Sequence, residues 1–188
     1  MEPILIDFPE EFETENLIIR APKADDVKAV NEAIKASINE LKPWLPFAQQ
    51  EQSMEDTEIN IRTAVVKFLE REDLRLHVFL KKTGQFIMSS GLHRIDWDVR
   101  KFEIGYWADS RYTGKGYVTE AVKGITDFAF RELDANRIEI RCDTLNEKSA
   151  AVAIRLSYEL EGILKKDHFS TDRTELRDTY VFAKVREA

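Results

Sequence analysis

Two hydrophobic periods run through the chain, one of two residues and one near 3.6, and the switches between them mark its elements. Leu17-Ile18-Ile19-Arg20 is a short β-branched run stopped by Ala21-Pro22, which predicts a strand. Asp25 and Asp26 then open a helix with apolar residues at Val27, Val30, Ile34, Ile38 and Leu41, its acids well placed at the N-terminus. Pro43 and Pro46 bracket Trp44 in a loop that cannot continue that helix. A second helix starts at Ser53, where Ser53-Met54-Glu55-Asp56 has the form of a capping box with Asp in place of Glu. Ile61, Val65, Phe68 and Leu69 supply its buried stripe. Strands over Arg75–Leu80 and Gln85–Leu92, joined through Lys82-Thr83-Gly84, predict an antiparallel hairpin. Lys101–Ala108 predicts another strand, and Val118, Ala121, Val122, Ile125, Phe128 and Ala129 mark one face of a helix from about Gly116 to Leu133. A strand over Arg137–Thr144 follows, then a helix capped by Ser149 and running to about Tyr158, then strands over Glu161–Phe169 and Asp178–Val185.

No repeat, low-complexity tract or linker interrupts this series, so residues 1–188 predict one domain of mixed α/β class, α+β type. Hydrophobic residues make up 43% and charged residues 34%, enough apolar content for a single buried core. No apolar run approaches the ~20 residues that span a bilayer, and the acidic N-terminus has no signal-peptide pattern, so no membrane partner and a cytoplasmic location are expected. The formal net charge of −7 offers no electrostatic footprint for direct nucleic-acid binding, though it suits a cationic substrate. Cys142 is the single cysteine and continues the register of Ile138 and Ile140, which reads as a buried strand residue rather than a nucleophile. His77, His93 and His168 have no ligand partners at metal-binding spacing, and no metal is expected.

The chemistry concentrates where the Lys101–Ala108 strand meets the long helix. Gly114-Lys115-Gly116 allows positive backbone dihedrals and close approach of a ligand, and the first-turn amides of the next helix can take an anion. Arg111 and Lys115 place two cations beside them, so a phosphate or pyrophosphate fits. A Walker A loop is excluded because Lys115 is followed by Gly116. A dinucleotide fingerprint is excluded because no third glycine lies three positions later.

Arg111-Tyr112-Thr113-Gly114-Lys115-Gly116 resembles, without a gap, the Arg/Gln-x-x-Gly-x-Gly/Ala pyrophosphate motif of the GNAT superfamily of N-acetyltransferases. Glu103-Ile104-Gly105-Tyr106-Trp107 and Gly114-Lys115-Gly116-Tyr117-Val118-Thr119-Glu120-Ala121 look like its ribosomal-protein N-terminal alanine acetyltransferase branch. Asn146-x-x-Ser149 and Leu160-Glu161-Gly162 follow in that branch's order, and similarity runs from Thr14–Arg20 to Asp178-x-Tyr180. The resemblance implies a mixed, mostly antiparallel sheet of six to seven strands flanked by helices and splayed between Lys101–Ala108 and Arg137–Thr144. It implies acetyl-CoA as co-substrate, its pantetheine arm along Ile104 and Tyr106 and its pyrophosphate on the amides from Thr113 to Val118, including Tyr117. Asn146 and Ser149 would contact the cofactor. By analogy alone, a homodimer is allowed.

Acetyl transfer needs a neutral amine, a stabilised oxyanion and a protonated leaving thiolate. A protein α-amine, with an ordinary pKa of about 7.7–8.0, asks less of a base than lysine near 10.4. The Tyr106 amide is an oxyanion donor by analogy. Glu103, opposite in alternation to Phe102, Ile104 and Tyr106, is the first candidate base, with an ion-pair role as the alternative. Ser149 is a candidate proton donor to the thiolate. His168 stands where the resembled branch carries a glutamate proposed as base. Ser157 replaces a glycine common in that branch, and Ser89-Ser90 replace another. Trp44 matches an acceptor-side loop or anchors the core. The acceptor expected first is a protein N-terminal amine, as on a ribosomal protein. A small amine (polyamine, amino sugar or amine antibiotic) is the second reading, and a non-catalytic acyl-CoA sensor the third.

Overall fold

The computed structural model describes residues 2–186. Its strands are β1 (Glu11–Glu13), β2 (Leu17–Arg20), β3 (Leu74–Leu80), β4 (Phe86–Asp96), β5 (Lys101–Ala108), β6 (Arg137–Asp143), β7 (Glu159–Phe169) and β8 (Leu176–Val185). They form one sheet in the order β1-β2-β3-β4-β5-β6-β8-β7, antiparallel throughout except for β5 against β6. The helices are α1 (Val27–Ala36), α2 (Ile38–Leu41), α3 (Met54–Leu69), α4 (Tyr117–Glu132) and α5 (Glu147–Arg155).

The sheet has eight strands rather than six or seven. The additional one, β1, is three residues of Glu-Phe-Glu, too short and too acidic to carry a strand pattern. It forms because Phe12 stacks on Phe128 of α4, ring centroids 4.4 Å apart, which holds the segment against β2. The expected continuous helix from Asp25 to Leu41 is also broken. Residues Ala24–Asp26 form a 3-10 turn, and the α-helical path stops at Ser37, whose Oγ accepts the Ser110 amide at 2.8 Å. Ser149 is not the cap of α5. Asn146 fills that place, its Oδ1 accepting the Ser149 amide at 3.1 Å. The capping box at α3 forms as expected, with Ser53 and Asp56 exchanging bonds.

Alternation along β5 divides the molecule. Phe102 and Ile104 point into the larger core, where Ala121, Val122, Ile125 and Phe128 of α4 and Val152 and Ala153 of α5 pack on the sheet. The opposite face carries a smaller core under α1 and α3, made of Val27, Val30, Ile34, Ile61 and Phe86, with Trp107 against it. Glu120, in the first turn of α4, accepts Thr14 Oγ1, the Asn16 amide at 2.7 Å and Asn16 Nδ2 at 3.0 Å. That carboxylate fixes the start of α4 against the β1–β2 turn, and so fixes the Gly114–Gly116 segment before it.

Candidate active site

The ladder between β5 and β6 covers Lys101–Arg137, Phe102–Ile138 and Glu103–Glu139 and then ends. Beyond it β5 stays bound to β4 as far as Ala108, and β6 to β8 as far as Asp143. The facing edges of Ile104–Ala108 and Ile140–Asp143 therefore part, with backbone donors and acceptors turned toward the notch between them. A linear, amide-bearing ligand can pair along such an edge as an added strand would.

At the top of β5 the chain turns through a 3-10 segment, Ser110–Tyr112, into α4. Gly114 and Gly116 have φ of +74° and +84°, and a Cβ built on either would meet nothing within 4 Å. The turn is open on the side where these side chains would project. The first intrahelical bond runs from the Glu120 amide to the Gly116 carbonyl at 3.0 Å, so the amides of Tyr117, Val118 and Thr119 lack helical acceptors. A helix N-terminus with two glycines before it suits a pyrophosphate. Lys115 reaches back to the Arg111 carbonyl at 3.2 Å. Arg111 is engaged by the fully buried Asp109, with Nη2 2.6 Å from Oδ2, and its exposed guanidinium is thereby set beside the turn.

Below the turn, the Tyr106 hydroxyl donates to the Ser149 carbonyl at 3.1 Å and lies 3.0 Å from Ser149 Oγ. Burial pushes the Tyr106 phenol up to about 12, so it stays a neutral donor. Burial likewise pushes the Cys142 thiol up to about 11, which keeps it from serving as a thiolate nucleophile. Ile104, Tyr106, Asn146 and Ser149 thus come together around the notch, with Thr113 to Val118 at its upper end.

On the other face a cleft of about 180 Å³ is lined by Val30, Ile34, Phe47, Ile61, His93 and Trp107, with Gly105 and Tyr106 at its border with the notch. Ser90 Oγ donates to the Gly105 carbonyl at 2.8 Å, which accounts locally for serine at a position where glycine was expected. Trp44 is absent from the residues lining this cleft, and Phe47, two residues beyond Leu45, takes the aromatic position beside Trp107 at 6.1 Å between ring centroids. Glu103 lies on this face, where the β5–β6 ladder ends. Burial raises its pKa against the opposing pull of Arg94, whose Nη1 is 3.6 Å away. His168 stands further along, across the notch from β5. It sits on β7 with Nδ1 3.1 Å from Thr179 Oγ1 and Nε2 3.5 Å from Asp143 Oδ2. Asp143 is four residues along β6 from Glu139, the partner of Glu103, a separation of about 13 Å along the strand alone. Glu103 and His168 do not form one catalytic pair.

Two histidine–carboxylate pairs on the cleft side escaped the sequence reading. His77 Nδ1 lies 2.8 Å from Asp26 Oδ2, and His93 Nδ1 lies 2.6 Å from Asp73 Oδ2. Their members are 51 and 20 residues apart, so no spacing signature announces them. Among the described residues no group of three or more His, Cys, Asp and Glu side chains could hold a metal ion, and no helix is long and apolar enough to cross a membrane.

Comparison with known proteins agrees with this geometry. The Acetyltransferase (GNAT) domain family matches residues 16–159. YdaF of Bacillus subtilis strain 168, whose name marks it as a candidate ribosomal N-acetyltransferase, is 32% identical over 151 residues, 79% of this chain and 80% of that protein. Among solved structures, a ribosomal L7/L12 α-N-protein acetyltransferase in complex with coenzyme A superposes with a TM-score of 0.86 at 21% identity, covering 94% of this chain and 98% of that one. The microcin C7 self-immunity acetyltransferase MccE, in complex with acetyl-CoA and AMP, also gives 0.86, at 20% identity over 95% and 98%. At those identities the two structures establish the fold that they share with this chain.

Proposed function

The chain belongs to the GNAT acetyltransferase family, with acetyl-CoA as donor, and we propose on that premise that its acceptor is a protein N-terminal amine. The observation that carries the acceptor reading is the cleft beside Gly105 and Tyr106, which meets the notch at the level of the parting strands. Its apolar walls of Val30, Ile34 and Ile61 suit a short side chain, and the modest basicity of an α-amine asks less of a base than a lysine would. Relatedness to YdaF supports the same class of acceptor. The equal fold match to MccE is the reason that the fold alone does not choose it.

In this reading the amides of Thr113 to Val118, with Lys115 and Arg111 beside them, hold the pyrophosphate, and the free edge at Ile104 and Tyr106 pairs with the pantetheine arm. Asn146 and Ser149 contact the thioester end. The amine nitrogen attacks the thioester carbonyl carbon, a C–N bond forms and the C–S bond breaks, its electron pair leaving on sulfur. The Tyr106 amide faces the developing oxyanion. Ser149, its Oγ 3.0 Å from the Tyr106 hydroxyl, relays the nitrogen's second proton to the thiolate and so ends with its own proton restored. Glu103 is the carboxylate that finally draws the amine's proton, directly or by relay.

The deciding experiment is a panel of N-terminal peptides with Ser, Ala, Thr and Met leads, set beside polyamines, amino sugars and lysine peptides, and read by coenzyme A release and mass spectrometry. Transfer to the α-amine of at least one peptide supports the reading. Transfer only to small amines moves the acceptor class, and acetyl-CoA binding with no transfer makes the chain a sensor. In the same assay Glu103→Gln is expected to lower turnover roughly tenfold, at the low end of acid–base effects, with acetyl-CoA affinity unchanged. Full activity at every pH would remove Glu103 from the proton path.

A further inference from the structure

We propose that His93, oriented by Asp73, is the group that takes the proton directly from the acceptor amine. This rests on the amine-acetylation reading above and names a catalytic residue for it.

The sequence made Gly105 part of a motif without giving it a task. Gly105 pairs across the β4–β5 ladder with Gly91, and His93 stands one alternation further along β4, opposite Glu103. A Cβ built on Gly105 would come within 3.1 Å of His93 Cδ2 and 3.5 Å of Nε2, and one on Gly91 within 3.1 Å of Cε1. The Cδ2–Nε2–Cε1 side of the imidazole therefore packs against two facing glycines. Any side chain at Gly105 would push it away.

The ring's tautomer follows from its partner. Asp73 Oδ2 is 2.6 Å from Nδ1, and an ionised carboxylate can only accept, so the neutral ring keeps its proton on Nδ1. Nε2 is left with the free lone pair, on the side of the ring beside Gly105. His93, Gly105 and Tyr106 all line the cleft, and Gly105 and Tyr106 also belong to the notch edge Ile104–Ala108 past the last β5–β6 pair. The basic nitrogen is thus placed between the acceptor side and the thioester side. His77 also borders the cleft and is held by Asp26 in the same way, but its side chain is only 1% exposed. The His93 side chain is 27% exposed.

The charged groups around the ring are Asp73 in the α3–β3 turn, Arg75 on β3, Arg94 on β4 and Glu103 on β5, with Lys67 of α3 acting through Asp73. His93 Nε2 takes one proton from the ammonium, the freed lone pair forms the C–N bond, and sulfur leaves with the C–S pair. The nitrogen's second proton goes to the thiolate by way of Ser149, and His93 returns its proton through Glu103 to water.

The test uses the full-length protein and the best peptide from the acceptor panel. His93→Ala is expected to lower kcat/KM for the peptide about a hundredfold with the acetyl-CoA dissociation constant unchanged, as loss of a general base does. Added imidazole should restore part of the rate. Asp73→Asn, a change at a positioning residue, should lower kcat about tenfold with little change in KM, and nitrogen NMR of the His93 ring should show its Nδ1–H tautomer lost. Turnover of His93→Ala within twofold of the unaltered protein overturns the proposal. So does a loss of rate that imidazole does not repair, or an Nε2–H tautomer in the unaltered protein. If the unaltered protein acetylates no amine, the acceptor reading falls and this one falls with it. If it acetylates a peptide and His93→Ala does so equally well, only the base is wrong.

Discussion

Gly116→Val is expected to weaken acetyl-CoA binding on the order of a hundredfold, combining backbone strain with loss of well-aimed amide donors. Gly116 sits at φ +84°, where a β-branched residue is strained whatever space surrounds it, and it is the residue from which α4 starts. To relieve the strain the turn must rearrange. The amides of Tyr117 to Thr119 then no longer converge on one anion. Gly84→Val is the matched control. Gly84 has φ +68° and equally open surroundings, but lies in the β3–β4 turn, so it should cost stability and leave affinity alone. Isothermal titration of the two variants separates strain from site. Unchanged affinity in Gly116→Val would reject the proposed cradle.

Asp26→Ala should remove about 3–5 kcal/mol of stability, the usual result of stripping one partner from a buried charged pair. Asp26 is 4% exposed and accepts from Arg20 Nη1 at 2.9 Å, from the Lys23 amide at 2.8 Å and from His77. Without the carboxylate, Arg20 keeps a half-desolvated charge and His77 loses the acceptor for its Nδ1–H. Urea unfolding should show a lower midpoint with little change in slope. A shift below 1 kcal/mol would mean that water replaces the carboxylate.

The same pair sets an acid limit. Burial holds His77 neutral by lowering its pKa below the ordinary 6.5, so the unfolded chain binds that proton first and stability falls as pH drops below about 6.5. Burial opposes ionisation of Asp26, but its bonds to His77, Arg20 and the Lys23 amide prevail, and they hold its pKa well below the ordinary 3.8. Its contribution is complete above that value and lost as pH falls through the lower, folded one. Melting temperature should therefore decline in two stages on acidification.

Much of this architecture is written in local periodicity. The stripe from Ala121 to Ala129 is buried where the 3.6-residue pattern places it, the Ser53 capping box starts α3, and the glycine turn stands between β5 and α4. What the chain does not announce depends on distant partners. β1 exists because of Phe128, more than a hundred residues away, and α1 ends at Ser37 because an amide at Ser110 needs an acceptor. Asn146 caps α5 in place of Ser149, which is drawn into the Tyr106 contact instead. On the acetyl-donor side the motif residues are contiguous and could be read directly. On the acceptor side the polar pairs join β3 and β4 to residues 51 and 20 positions away, respectively, and only folding brings them together.

The three-residue ladder between β5 and β6 has a thermal consequence. Among the described residues it is the one strand ladder that joins the five N-terminal strands to the three C-terminal ones, with the Asn136 amide bonded to the Arg100 carbonyl at its foot, so the two halves rely heavily on the helices packed across them. A donor lying in the notch, as proposed, would touch both halves at once. By mass action, a ligand at a hundred times its dissociation constant adds about 2.7 kcal/mol to the folded state. The enzyme would then be most heat-resistant when charged with donor and most fragile between turnovers, so that substrate supply itself governs how long each molecule lasts.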